Sequence, residues 1–292
     1  MYIMSETEPL TTMIEYNDVL DMLGLTLLIY DYGKSIDYVK GDTLENFVSR
    51  MNSQGNDISD VKRNVITNLA NNISDGEIKD FISDPDTDLQ AGITMSNEKK
   101  RITIIFRGSE STYDWYYDLN FLKTCINKDK NVYVHGGFHK QLTKNDNHTQ
   151  LITIVKSLLL ENPDYSVHVC GHSLGGALST LFGYLLAQEI SQIVTVISFA
   201  SPRVGNYDWK KSFDETKNLL HFRVTNCNDI VTAFPSILYY HVGDNIRLEK
   251  NDKATLFFND SYSWWDYTIF KCYSPGDHSC SEYYKHLSIN KW

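Results

Sequence analysis

The sequence predicts an α/β fold with a mainly parallel central sheet flanked by helices, and three observations predict it. Between residues 88 and 225, β-branched runs alternate with helical patterns, the order that a parallel sheet covered on both faces requires. Two of those runs, Arg101–Phe106 and Ile193–Phe199, have the composition of strands buried on both sides. Third, Val167–Ser179 joins a short β-rich run to a helical pattern through Gly171-His172-Ser173-Leu174-Gly175-Gly176. Small residues there let strand and helix pass closely, and the serine at the tip sits in a strained turn.

Residues 1–14 read as a loose arm. Leu20, Leu23, Leu27 and Tyr30 recur at helical spacing within Glu15–Tyr32, and Thr43–Met51 is a second helical pattern with Asp42 as its expected cap. Asp57–Leu69 and Asp75–Ile82 read as further helical or irregular pieces. The character then changes. Asp88–Met95 alternates, Ser96–Lys100 is a polar turn, and Arg101–Phe106 completes a hairpin. Val132–Val134 is extended, Gly136-Gly137 reads as a turn, and a helix about Gln150–Glu161 stops at Pro163. After the Ser173 turn a helix runs to about Ile190. A strand Ile193–Phe199, a helix about Asn206–Phe213 and a strand Leu219–Val224 follow. Leu238–Val242, Asn245–Leu248 and Thr255–Phe258 read as β, and Ser281–Leu287 as a last helical piece. No internal repeat or low-complexity linker divides the chain. Residues 1–85 are expected to be an N-terminal helical segment packing on a core of residues 86–292, the two forming one structural domain.

Composition bounds the partners. A formal charge of −10 would repel phosphates, which argues against nucleic acid and strongly anionic membranes. Glu6 and Glu8 stand where a signal peptide would carry positive charge, and Val19–Tyr30 is too short to span a bilayer. A cytoplasmic or non-classically exported protein is therefore expected. Five scattered cysteines are not a disulfide framework. The sequons at Asn72, Asn147 and Asn259 are read as chance.

Ligands of parallel sheets sit beyond the carboxyl ends of the strands, where Gly108-Ser109, Ser173 and Asp229 all fall. A serine hydroxyl becomes a nucleophile only beside a base that a carboxylate orients. Asp229 directly follows a buried-type strand and is the best carboxylate downstream of Ser173. Four histidines follow Ser173: His221, His241, His278 and His286. His278, in a Ser-Pro-Gly-Asp-His loop, has the setting of a general base and is preferred; His286 is the runner-up, then His241, and His221 reads as structural. Cys272, His278, Cys280 and His286 could be imagined as a zinc site, but their spacing does not match the common cysteine pairs. A local Cys272–Cys280 disulfide steadying the histidine loop is the better reading.

With these residues in view, the chain resembles the class 3 (fungal-type) lipases of the α/β-hydrolase fold. The resemblance is carried, in order over residues 88–284, by Ile105-Phe106-Arg107-Gly108-Ser109, Asp114-Trp115 with Asp118-Leu119, Val134-His135-Gly136-Gly137-Phe138, Gly171–Ala177, Ser201–Asn206, Asn228-Asp229-Ile230-Val231, His241-Val242-Gly243 and Asp277-His278. It implies a lipid-ester hydrolase with Ser173 as nucleophile, Asp229 as orienting acid and His278 as base. It also implies an oxyanion hole from Ser109 and the backbone N–H of Leu174, an acyl-enzyme, and no cofactor. Ser111–Phe121 becomes a short helical lid, whose Tyr113, Trp115, Tyr116 and Tyr117 would cover the site in water and turn toward a lipid interface. A fixed aromatic helix on the sheet edge is the competing reading of that segment. A phospholipase A1 or a feruloyl-type esterase is the alternative enzyme. A catalytically inactive lipase-like lipid-binding protein is the alternative from another class.

Overall fold

The structure is a computed structural model and describes residues 14–30, 39–53, 64–65, 67–69, 72–73, 75–109, 122–250, 254–257 and 274–292. The expected arm, most of the Asp57–Leu69 piece, the lid residues Tyr113, Trp115, Tyr116 and Tyr117, and Cys272 lie outside them.

The sheet is built on five parallel strands: β3 (Arg101–Phe106), β6 (Ser166–His172), β7 (Val194–Phe199), β8 (Leu219–Asn226) and β9 (Asp244–Leu248). Two antiparallel strands, β1 (Glu77–Asp84) and β2 (Leu89–Ser96), extend it on the β3 side, and β10 (Thr255–Phe257) pairs antiparallel with β9. The strand order is β1-β2-β3-β6-β7-β8-β9-β10, and β4 (Lys123–Asn127) and β5 (Val132–His135) form a separate ribbon.

Alternation along each strand sorts the side chains to two faces. Ile102, Ile104, Val167, Val169, Val194 and Val196 join one apolar cluster, which is closed by α3 (Gly136–Thr143), α4 (Asn147–Glu161), α5 (Leu174–Ala187) and α6 (Tyr207–Asp214). Ile105, Cys170, Ile197, Phe199, Phe222 and Val224 join the other, under α1 (Tyr16–Leu28), α2 (Leu44–Ser53) and α7 (Cys280–Ile289). Each fully buried aliphatic side chain contributes about 1.5–3 kcal/mol, and truncating Leu178 in α5 to alanine would cost about 2–5 kcal/mol. A buried ion pair ties α1 to the first parallel strand. Arg101 reaches Asp21 at 3.0 Å and Asp18 at 2.8 Å, and Asn72 donates to Asp21 at 3.1 Å.

Four local expectations are corrected. Asp75–Ile82 is not helical: residues 77–84 are strand β1, with a bulge between Ile78 and Asp80. The bulge turns Ile78 and Phe81 toward the same cluster, so a strand carries apolar residues at a spacing that reads as helical. Gly136-Gly137 is the first turn of α3 rather than a turn between elements; the His135 ring accepts from Phe138 N–H at 3.4 Å and caps it. Thr43, not Asp42, caps α2, accepting from Asn46 N–H at 3.1 Å, while Asp42 pairs with Arg50. Leu238–Val242 holds only an isolated bridge from Tyr240 to Gly205.

Candidate active site

β6 ends at His172, and the chain then reverses into α5 through Ser173 at φ 59° and ψ −123°. That region is sparsely populated for a residue with a side chain, and the neighbours are what make it attainable. A Cβ on Gly175 would run into the Phe106 carbonyl, and one on Gly171 into the Gly175 carbonyl. Leu174 is the first residue of α5, so its N–H has no acceptor within the helix.

Three strand ends deliver the polar groups. Ser109 follows β3, Ser173 follows β6, and Asp229 follows β8, its N–H donating to Asn226 O at 3.1 Å. His278 closes a single helical turn, Pro275–His278, just before α7. Its Nε2 lies 2.9 Å from Ser173 Oγ, and its Nδ1 lies 3.0 Å from each Asp229 carboxylate oxygen. Ser173, His278 and Asp229 are 2%, 4% and 1% exposed, so these bonds form in a nearly water-free setting.

The protons can be assigned. Asp229 accepts from Val231 N–H at 2.9 Å and from the Tyr283 hydroxyl at 2.7 Å. Burial, with Asp229 alongside, raises the Tyr283 phenol well above its ordinary value, so it stays a donor. A carboxylate already accepting two bonds takes a third from His278 Nδ1–H, which leaves Nε2 to accept the Ser173 O–H. Serine, imidazole and carboxylate are thus in series, the arrangement that turns a hydroxyl into a nucleophile.

The other histidines are engaged elsewhere. His241 Nε2 donates to Thr232 O at 2.7 Å, and burial with Arg223 and Arg203 nearby drives its pKa well below the usual value. His286 Nδ1 faces Asn226 Oδ1 at 2.9 Å, and His221 Nε2 faces Ser198 Oγ at 2.9 Å. Ser109 Oγ is buried with no hydrogen-bond partner among the described residues, as a donor awaiting an acceptor would be. Among the described residues no group of three or more His, Cys, Asp or Glu side chains could hold a metal, and both ring nitrogens of His278 are already bonded. Sequence reasoning missed Tyr283, Asn226 and Tyr30. Tyr283 sits one turn into α7, and only the tertiary fold turns it toward Asp229 rather than into a generic apolar contact.

Residues 103–239 match the family model of class 3 lipases. Over that stretch, a little under half of its length, the chain is similar to the class 3 lipases. A secreted mono- and diacylglycerol lipase A of Penicillium cyclopium is 30% identical over 185 residues, covering 62% of this chain and 59% of that protein. A phospholipase A1-IIgamma of Arabidopsis thaliana is 29% identical over 177 residues, covering 52% of this chain and 42% of that protein. The match thus spans about half the length of these curated relatives. The solved structure of Rhizomucor miehei triacylglyceride lipase superposes with a TM-score of 0.68 at 23% identity, covering 90% of this chain and 92% of that one. At that identity the likeness shows the fold alone, which is that of the α/β-hydrolases.

Proposed function

We propose that this protein is a serine hydrolase that cleaves carboxylic ester bonds of lipids through an acyl-enzyme. The observation that carries the reading is the unbroken Ser173–His278–Asp229 hydrogen-bond series at the carboxyl ends of β6 and β8. Ser173 Oγ attacks the ester carbonyl while His278 Nε2 takes its proton and then passes it to the departing alcohol. Water deacylates the serine by the reverse proton path. The oxyanion is received by Ser109 and the backbone N–H of Leu174, which come from two different strand ends; one such donor is worth about 3–4 kcal/mol of barrier. Asp229 holds the His278 tautomer and balances the imidazolium. Support for lipid esters comes from the match of residues 103–239 to the class 3 lipases and from a relative named as a mono- and diacylglycerol lipase. The relatives named phospholipase A1 favour a second reading, in which the ester cleaved belongs to a phospholipid.

Tyr113, Trp115, Tyr116 and Tyr117 are proposed as the aromatic cover that turns toward a lipid surface. Purified protein is expected to hydrolyse p-nitrophenyl esters, and Ser173→Ala to abolish this. Activity retained in that variant would contradict the reading; none in the wild type would contradict it and favour a lipid-binding protein. A panel of mono-, di- and triacylglycerols beside phospholipids separates the two enzyme readings. Rates on tributyrin should jump at its solubility limit if the aromatic segment opens, and rise smoothly if it is fixed.

A further inference from the structure

His172, the residue before Ser173, is buried, and its Nε2 lies 2.6 Å from the backbone carbonyl oxygen of His278. A carbonyl only accepts, so Nε2 carries the proton. Burial, with the His278 ring beside it, holds the His172 pKa down to about 3 and keeps the ring neutral. Its Nδ1 is then an acceptor, and the Tyr30 hydroxyl, 3.1 Å away, donates to it. Both nitrogens are used and one tautomer is fixed.

Tyr30 lies two residues beyond α1, in the N-terminal segment, yet it touches the chain leaving β3 as well as the end of β6. A Cβ on Gly108 would collide with the Tyr30 hydroxyl and the His172 carbonyl, so the glycine before Ser109 is there to admit the phenol. On the opposite side, Asn226 Nδ2 at the end of β8 donates to Asp277 O at 2.8 Å. Two consecutive carbonyls of the base turn are therefore held from two different strand ends, with the His278 ring 4.7 Å from that of His172.

We infer that Tyr30 and His172 are positioning residues that set the height of the His278 turn over Ser173, making the N-terminal segment part of the catalytic apparatus. The inference rests on the roles proposed above for Ser173 and His278. Without the His172 donor, the His278 carbonyl would be buried unpaired and the turn would shift; a displacement near 1 Å costs about 100-fold in rate.

The test uses His172→Leu, which removes the donor, His172→Gln, whose amide N–H can reach the same carbonyl, and Tyr30→Phe, which keeps the ring. On a soluble p-nitrophenyl ester, His172→Leu should lower kcat about 100-fold with KM nearly unchanged, His172→Gln should recover to within about tenfold of wild type, and Tyr30→Phe should lose about fivefold. Equal activities of the Leu and Gln variants, or a loss confined to KM, would overturn the inference. If His172→Leu does not fold, an unchanged kcat in Tyr30→Phe overturns it alone. Histidine ¹⁵N spectra give a readout independent of turnover. His172 should stay neutral and protonated on Nε2 from about pH 5 to about pH 9. A proton on Nδ1, or titration within that range, contradicts the inference even in a protein that hydrolyses nothing. Loss of the hydrolase reading would leave this spectrum intact, so the two failures are distinguishable.

Discussion

Among the described residues two serine–histidine pairs share the same 2.9 Å contact, Ser173–His278 and Ser198–His221. The second lies inside the sheet, with Ser198 the penultimate residue of β7 and His221 facing it from β8. No carboxylate is bonded to the His221 ring among the described residues; Thr180 Oγ1 lies 3.5 Å from it and the Phe213 ring packs beside it. Burial, with Arg223 alongside, pushes the His221 pKa well below its usual value, so this ring is built to stay neutral. The first pair has a strained turn that presents the hydroxyl, a carboxylate fixed by Tyr283 and Val231, and helix N–H groups nearby. A serine–histidine hydrogen bond is thus not itself a catalytic feature. What separates the pairs is what stands behind the histidine and the strained turn that carries the serine.

The comparison can be broken by substitution. Ser173→Ala should lower kcat by on the order of 10⁶-fold, whereas Ser198→Ala should leave it within a few-fold. The cost of Ser198→Ala should appear instead in a denaturant melt, as about 1–3 kcal/mol for a buried imidazole nitrogen left poorly paired. Next in size, Asp229→Asn makes the outer pair resemble the inner one. An amide cannot hold the Nδ1–H tautomer as a carboxylate does, and kcat should fall by about 10⁴-fold while KM changes little.

The smallest effect concerns acid. Burial holds His172 down to about 3 and His135 to about 4, and lowers His221 and His241 well below the usual value. In the unfolded chain each would take a proton near pH 6.5, so the unfolded state binds more protons between those limits. Stability is therefore full above about pH 6.5 and falls as pH drops toward the folded values, by up to about 1.4 kcal/mol per pH unit per histidine. Unfolding curves at pH 7.5 and 5.5 measure the slope, and His221→Gln should reduce it by about one proton.

How much of this was legible in the sequence follows from the range of the interactions. The β-branched run of Arg101–Phe106 and the small residues of Gly171–Gly176 are local signals, and the sheet and the Ser173 turn could be read from them. Asp229 and His278 were chosen by position after a strand and in a polar loop, and the fold brings both to Ser173. β1 was misread because a bulge lets a strand imitate helical spacing, which depends on its partner β2. Tyr30 and Tyr283 were not legible at all. Nothing local separates a tyrosine that will donate to His172 or Asp229 from one that packs through its ring, since the acceptors lie 142 and 54 residues away.

The central claim is that Ser173 alone among the buried serines is activated. A fluorophosphonate, which phosphonylates only an activated serine hydroxyl, tests it on the folded wild-type protein with the adduct mapped by peptide mass. The account predicts one adduct, on Ser173, abolished in Asp229→Asn and His278→Ala and unchanged in Ser198→Ala. An adduct on Ser198, or no adduct on the folded protein, would contradict it.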